Sequence, residues 1–349
     1  MLLQFTHTGI HCPAGAFHID PWLPAERAVI THAHSDHARR GSRHYLAHHD
    51  SAPALRLRLG SDISLQTVEY GERLHLNGVT LSLHPAGHIP GSAQVRVEKD
   101  GEVWVASGDY KILPDGLCTP FEPIRCHSFI TESTFGLPVF RWPSQESVLE
   151  DIRHWWAANR EAGICSILCA YSLGKAQRLV RHLPVSTDNT FLHGAVHRVQ
   201  EAYRAAGHPY PALAPVGSLP TGTDFRGALV IAPPAVAGSA WLRRFGKYSL
   251  GICSGWMQVR GHARRRQADR GFIFSDHADW QGLLTAVRET EARQVFVTHG
   301  YTDIFSRYIS EDLGLQSHTV KTAFGTPEEE DGGEDPAAEQ PATSKPSAT

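Results

Sequence analysis

Side chains able to hold a metal ion recur at the ends of hydrophobic, strand-like runs spread over most of the 349 residues, and this recurrence limits the folds open to the chain. The run at 27–31 feeds into His32-Ala33-His34-Ser35-Asp36-His37, which places four potential ligands within six consecutive positions. Along an extended segment His32 and His34 point the same way, whereas Asp36 and His37 follow where the chain turns and can face a second ion. A run at 78–83 leads to His88, a run at 102–109 ends in Asp109, and a run at 294–299 ends in His299. Gly87, Gly108 and Gly300 stand beside these residues and permit sharp turns and close backbone approach. A histidine-rich turn by itself is an ordinary solvated loop; several strand ends delivering the same chemistry make a site. Because ligand types fall at 32–109 and again at 299, one unit must be assembled from both ends of the chain with the middle inserted between them.

The string of residues resembles the metallo-β-lactamase superfamily, whose pattern is a strand-end Asp, His-x-His-x-Asp-His, an isolated His, an Asp and a late His. Asp20, at the end of Phe17-His18-Ile19-Asp20, fits the opening position. The resemblance implies an α/β (α+β) fold, an αββα sandwich with two divalent metal ions between its sheets. It implies that His32, His34 and His88 hold one ion and that Asp36, His37 and His299 hold the other. Asp109 would bridge the two, and Asp20 would orient ligands without binding metal.

Three further segments resemble the motifs of the β-CASP nuclease branch. They are Ile130-Thr131-Glu132-Ser133-Thr134-Phe135-Gly136, carried by Glu132; Phe274-Ser275-Asp276-His277-Ala278-Asp279, carried by His277; and Val297-Thr298-His299-Gly300. Residues 171–179 also resemble a strand-to-helix segment of that branch's insert. The motifs stand in order from about residue 5 to 325, and their wording is most similar to the bacterial DNA-ligase-associated exonucleases of the DNA damage response. That resemblance implies DNA as the partner, hydrolysis of phosphodiester bonds from an end, and a functional association with an ATP-dependent DNA ligase. His299 keeps a second reading open: within the wider branch a His at this motif accompanies RNA processing, so ribonuclease action on RNA stands as the alternative.

The expected division follows the motifs: a catalytic domain at 1–136 and 269–325, a small α/β insert at 137–268, and a tail at 326–349. The insert reads as a helix over 144–162, a strand over 164–170, a helix over 175–182, and strands near 190–192, 228–232 and 248–253. The tail holds seven acidic residues against Lys345 alone, with hardly an apolar side chain, and is expected to be disordered. It carries −6 of a chain whose net charge is −3, so the remainder is basic, with Arg243, Arg244, Lys247, Arg260, Arg264, Arg265, Arg266 and Arg270 close in sequence. Such a group can track a phosphate backbone or simply line a solvated helix face. Two strand-turn-helix junctions, around Ser172 and Lys175 and at Ser254, place small residues where backbone amides attract anions.

Candidate catalytic residues are therefore Asp36, His277, Glu132 and Asp20, with His277 protonating the leaving oxygen and Glu132 orienting it. An imidazole and carboxylate donor set without thiolate fits zinc, with manganese as the alternative. Cys12, Cys118, Cys126, Cys165, Cys169 and Cys253 form no Cys-x-x-Cys pair and read as free thiols. A glyoxalase-type ester hydrolase would share the metal motif but would not need Glu132, His277 or the insert, and a non-catalytic scaffold subunit would be expected to have lost ligands. No apolar stretch approaches the roughly 18 residues of a membrane span, and the first residues lack a basic region followed by an apolar core, so a cytoplasmic location is expected.

Overall fold

The computed structural model describes residues 1–259 and 268–321, so Arg264, Arg265, Arg266 and the tail at 326–349 lie outside the described residues. The first sheet is laid down in sequence order by β1 (Gln4–Thr6), β2 (Gly9–Cys12), β3 (Phe17–Ile19), β4 (Arg27–Val29), β5 (His44–His48) and β6 (Leu65–Val68), with helix α1 (Ala52–Leu59) between the last two. β1 to β3 pair antiparallel, and β3 to β6 run parallel. The second sheet begins with β7 (Leu74–Leu76), β8 (Val79–Pro85), β9 (Ala93–Lys99), β10 (Glu102–Ala106) and β11 (Ser128–Ser133).

The chain then leaves this sheet for α2 (Gln145–Glu161), β12 (Cys165–Cys169), α3 (Lys175–His182), β13 (Thr190–Leu192), α4 (Gly194–Ala205), β14 (Leu229–Ala232), β15 (Tyr248–Cys253) and β16 (Arg270–Phe272). These strands form a separate parallel sheet in the order β13-β14-β12-β15-β16. After α5 (Trp280–Glu289) the chain returns to the second sheet as β17 (Gln294–Gly300), α6 (Thr302–Glu311) and β18 (Gln316–Thr319), giving the order β18-β17-β11-β10-β9-β8-β7.

Alternation along the strands decides how the layers stack. Leu81 and Leu83 of β8, Val95 and Val97 of β9 and Ile130 of β11 share a core with Phe17, Ile19 and Val29, so the first two sheets face each other. Each such side chain taken fully out of water contributes about 1.5–3 kcal/mol. On the far side of the second sheet, Phe129 and Val295 pack against Leu283 and Val287 of α5 and Phe305 and Ile309 of α6. The far side of the first sheet offers Ala28 and Tyr45 to Leu55 of α1 and, in the same core, to Ile152, Leu179 and Val196 of α2, α3 and α4. Within β12, Leu168 joins that core while Ile167 packs the opposite way against Phe225 and Leu242.

Helix α2 shows why the segment is helical. Ser144 stands at its N-cap and its Oγ accepts from the Ser147 amide at 3.3 Å, while Val148, Leu149, Ile152 and Trp156 make one buried stripe at helical spacing. The observed helix, Gln145–Glu161, sits just inside the expected 144–162. Cys165 and Cys169 lie buried in β12.

Two expectations are corrected. The strand expected over 27–31 stops at Val29, because Thr31 turns its carbonyl to accept from Ala93 of the opposing sheet at 2.8 Å. His32 and His34 therefore sit on a connecting segment beyond the strand. Ser254 was expected ahead of a helical stretch; it is followed by a four-residue 3-10 turn, Gly255–Gln258, too short to gather a helix dipole.

Candidate metal centre

Parallel strands β4, β10, β11 and β17, together with β8, bring their carboxyl ends to one edge of the facing sheets, and the candidate residues project there. His32, His34, His88 and Asp109 present ligand atoms within 4.8 Å of one another, and so do Asp36, His37 and His299. Asp109 faces both groups: its Oδ2 is 3.4 Å from His32 Nε2, 3.8 Å from His88 Nε2 and 3.5 Å from His37 Nε2. His37 Nε2 is also 3.4 Å from Asp36 Oδ2, and His34 Nδ1 lies 3.1 Å from His88 Nε2. Two donors on one tetrahedral zinc are separated by about 3.3 Å, as bonds near 2.0 Å require.

The outer hydrogen bonds assign which nitrogen of each imidazole faces the cluster. His37 Nδ1 donates to Asp20 Oδ2 at 2.7 Å, His88 Nδ1 to the Asp276 carbonyl at 2.9 Å, and His34 Nε2 to the Leu173 carbonyl at 3.2 Å. His32 Nδ1 reaches Thr31 Oγ1 at 3.1 Å, and that hydroxyl donates to Asp20 Oδ2 at 2.5 Å. Each histidine is left with its second nitrogen turned inward, the arrangement that raises ligand basicity in metal sites. His32 Nε2 and His37 Nε2 are buried without a hydrogen-bond partner. A buried polar atom left so is costly unless something else satisfies it, and a metal ion drawn from the nitrogen and oxygen class fits.

Local backbone shapes the site further. Gly108, at φ +57°, packs so closely on Thr31 that a Cβ there would lie 2.6 Å from the Thr31 Cβ. Between Thr131 and Ser133 of β11, the partner strand advances from Val297 to Gly300, so β17 carries one extra residue. This bulge accompanies His299, which adopts φ +51°, and Ser133 Oγ donates to the His299 carbonyl. Bulges of this kind re-aim side chains beside functional sites.

His277 and Glu132 stand next to the ligands. His277 Nδ1 is 3.1 and 3.0 Å from the two Glu132 carboxylate oxygens, and Glu132 Oε1 also accepts from the Tyr110 amide at 2.9 Å. Burial opposes a charge on His277, yet the carboxylates of Glu132 and Asp109 outweigh it and push its pKa up to about 10. His34 goes the other way, down to about 3, because burial and the neighbouring His88 both disfavour its charge. The opening to this site is lined by His34, Asp36, Asp109, Thr134, Tyr171, Lys175, Asp276 and His277, so Tyr171 and Lys175 bring part of the wall from outside the two facing sheets.

Of the candidate anion contacts, Lys175 lies in that wall, buried, with Nζ 3.1 Å from Asp276 Oδ1. Ser172 and Ser254 are not among the lining residues; Ser254 Oγ accepts from the Trp256 amide at 3.2 Å. Sequence reasoning gave no role to Thr31, Leu173 or Asp276. Two of these act through backbone carbonyls, which leave no side-chain signature.

Known proteins resembling the chain carry names from two activities. A protein named probable DNA ligase from Opitutus terrae is 32% identical over 323 residues, covering 91% of this chain and 31% of that protein. Ribonuclease TTHA0252 of Thermus thermophilus is 37% identical over 91 residues, covering 25% of this chain and 20% of the relative. RNase aCSPSF2 of Saccharolobus solfataricus is 28% identical over 120 residues, covering 34% and 24%. This chain thus spans less than a third of the length of each. A crystal structure of a protein of unknown function from Enterococcus faecalis matches with a TM-score of 0.56 at 10% identity, over 78% of this chain and 74% of that one, a likeness of fold alone. No family model matches. These likenesses support the superfamily that the motif string resembles, and they do not single out one branch of it.

Proposed function

We propose that the chain is a metal-dependent phosphodiesterase of the β-CASP branch that shortens DNA from an end, in DNA repair. On this reading 1–136 and 269–325 form the metallo-β-lactamase sandwich, 137–268 is the insert and 326–349 a disordered acidic tail. The observation that carries it is that His277, held by Glu132 from behind, lines the same cleft as members of both ligand groups and Lys175. A proton donor beside the metal groups suits the leaving oxygen of a phosphodiester, and a glyoxalase-type hydrolase would not need the pair.

His32, His34, His88 and Asp109 would hold one divalent ion and Asp36, His37 and His299, with Asp109, the other; zinc suits the donors and manganese is the alternative. Such ions would supply a hydroxide at neutral pH and neutralise charge on the phosphoryl oxygens. Glu132 would orient the His277 ring through Nδ1 and favour its charged form, which would leave Nε2 to pass a proton to the departing oxygen. Asp20 holds the His37 ring in place. Lys175 would attract a substrate phosphate, with Ser172, Ser254 and Arg264, Arg265 and Arg266 as further contacts.

DNA is favoured because the likeness to the ligase-named protein covers 91% of the chain, whereas the ribonuclease-named relatives match 25–36% of it. The same likeness supports a functional association with an ATP-dependent DNA ligase, and a cytoplasmic location goes with it. Among the described residues no helix is long and apolar enough to cross a membrane. Ribonuclease action is the second reading, favoured by His299 and by the names of those relatives. End-labelled single-stranded DNA and RNA of matched sequence, each with a 5′-phosphate or a 5′-hydroxyl, decide between them. Faster shortening of DNA supports the repair reading, and faster cleavage of RNA replaces it with RNA processing.

A further inference from the structure

A second group of metal-ligating side chains lies outside the cleft. β5 and β6 are parallel neighbours whose ends are in register, His48 opposite Val68, so the residues that follow them emerge side by side. These are His49 and Glu69, with His49 Nδ1 3.1 Å from Glu69 Oε1 and His48 Nε2 4.0 Å from Glu69 Oε2. Ligand atoms of the three all lie within 4.8 Å of one another. Their separations bracket the spacing of about 3.3 Å that a tetrahedral zinc with bonds near 2.0 Å sets between its donors.

The feature that singles this group out is His48. It is 2% exposed, and its Nε2 has no hydrogen-bond partner although it faces the mouth formed by His49 and Glu69. The neighbours have their side chains 48% and 69% exposed, so the group opens to solvent on one side and ends in a buried imidazole on the other. An ordinary surface ion pair would account for His49 and Glu69, since such pairs are common and contribute little. It does not account for a buried nitrogen aimed at them with nothing to bond.

We propose that His48, His49 and Glu69 form a further cation site, separate from the cleft, for a zinc-class divalent ion held by two imidazoles and a carboxylate. His48 Nδ1 accepts from the Asp50 amide at 3.3 Å, and ion binding through Nε2 requires that Nδ1 become a donor instead. Asp50 Oδ2, 3.9 Å away and beyond hydrogen-bond reach, would receive it only after a shift of its side chain. The site would brace the loop that carries His88: the His48 ring stacks on Tyr70 at 3.6 Å, Tyr70 OH donates to the Ser92 carbonyl at 2.9 Å, and Ser92 Oγ accepts from the His88 amide at 3.0 Å.

The test is zinc content per chain after loading and removal of free ion, for the parent and for a His49→Ala, Glu69→Gln variant. Both substitutions lie on the surface and touch no residue assigned to hydrolysis. The proposal expects the variant to carry one zinc fewer per chain. The same difference should persist when both proteins also carry Asp36→Ala and His37→Ala, which separates this site from the cleft whatever the cleft holds. Equal zinc content in parent and variant overturns it. His48→Gln, in a protein whose circular dichroism is unchanged, should reproduce the loss, and full retention of zinc there overturns it equally.

Discussion

Asp20 lies 2.7 Å from Nδ1 of His37, and the same carboxylate oxygen receives the Thr31 hydroxyl at 2.5 Å. One side chain thereby fixes the His37 ring directly and the His32 ring through Thr31, whose hydroxyl is 3.1 Å from His32 Nδ1. The two histidines belong to different ligand groups, so Asp20 couples both halves of the centre without entering either. It does so from a left-handed backbone position, φ +42°, which an Asp tolerates better than most residues.

Replacing Asp20 with Ala should therefore weaken metal binding without removing a ligand. Loss of such an outer partner costs about 10–100-fold in affinity. Competition with a zinc chelator measures it, and an affinity equal to the parent's would show that the contact does not matter.

His277→Ala should lower the turnover rate by about 10²-fold or more while leaving metal content intact, the low end of general acid catalysis. Glu132→Gln keeps the shape of the partner but removes its charge, so it should lower the rate too and shift the pH profile. Unchanged kcat in His277→Ala would remove this residue from the chemistry.

Lys175 and Asp276 are both buried and paired at 3.1 Å, and the Asp276 carbonyl anchors His88. Lys175→Met leaves a buried carboxylate without its cation and should destabilise the protein by about 3–5 kcal/mol. Urea denaturation reads this directly. A much smaller loss would mean that Asp276 finds another partner.

Gly108→Ala introduces a Cβ 2.6 Å from the Thr31 side chain at φ +57°. Backbone strain alone should cost about 1–3 kcal/mol. The displaced Thr31 should also loosen the link to Asp20, so zinc affinity should fall together with the melting temperature. A variant that melts lower yet binds zinc normally would place the damage in packing alone.

Which parts of this were legible beforehand follows from how each residue acts. The segment at 32–37 announces itself because its side chains are consecutive, and α2 does so because Ser144 and the stripe through Trp156 obey helical spacing. Helix α4 carries no strong start signal: Gly194 opens it, and its N-cap is His193, whose ring accepts from the Ala195 amide at 3.1 Å. The run at 27–31 outlasts its strand because Ile30 keeps it apolar past Val29, whereas the run at 102–109 leaves its strand at Ala106, where Ser107, Gly108 and Asp109 end the apolar pattern. The carbonyls of Leu173 and Asp276 were invisible, since any residue has one and only the fold aims it. His48 and Glu69 carry no joint signal in the sequence, because they stand 21 positions apart and only the parallel pairing of β5 and β6 brings them together.

The central claim is that the two ligand groups in the cleft drive phosphodiester hydrolysis. Its most direct test compares zinc- or manganese-loaded parent with the Asp36→Ala, His37→Ala variant on end-labelled single-stranded DNA. The account predicts that the parent shortens the strand and that the folded variant does not do so above the protein-free background. Equal shortening by both proteins would contradict it.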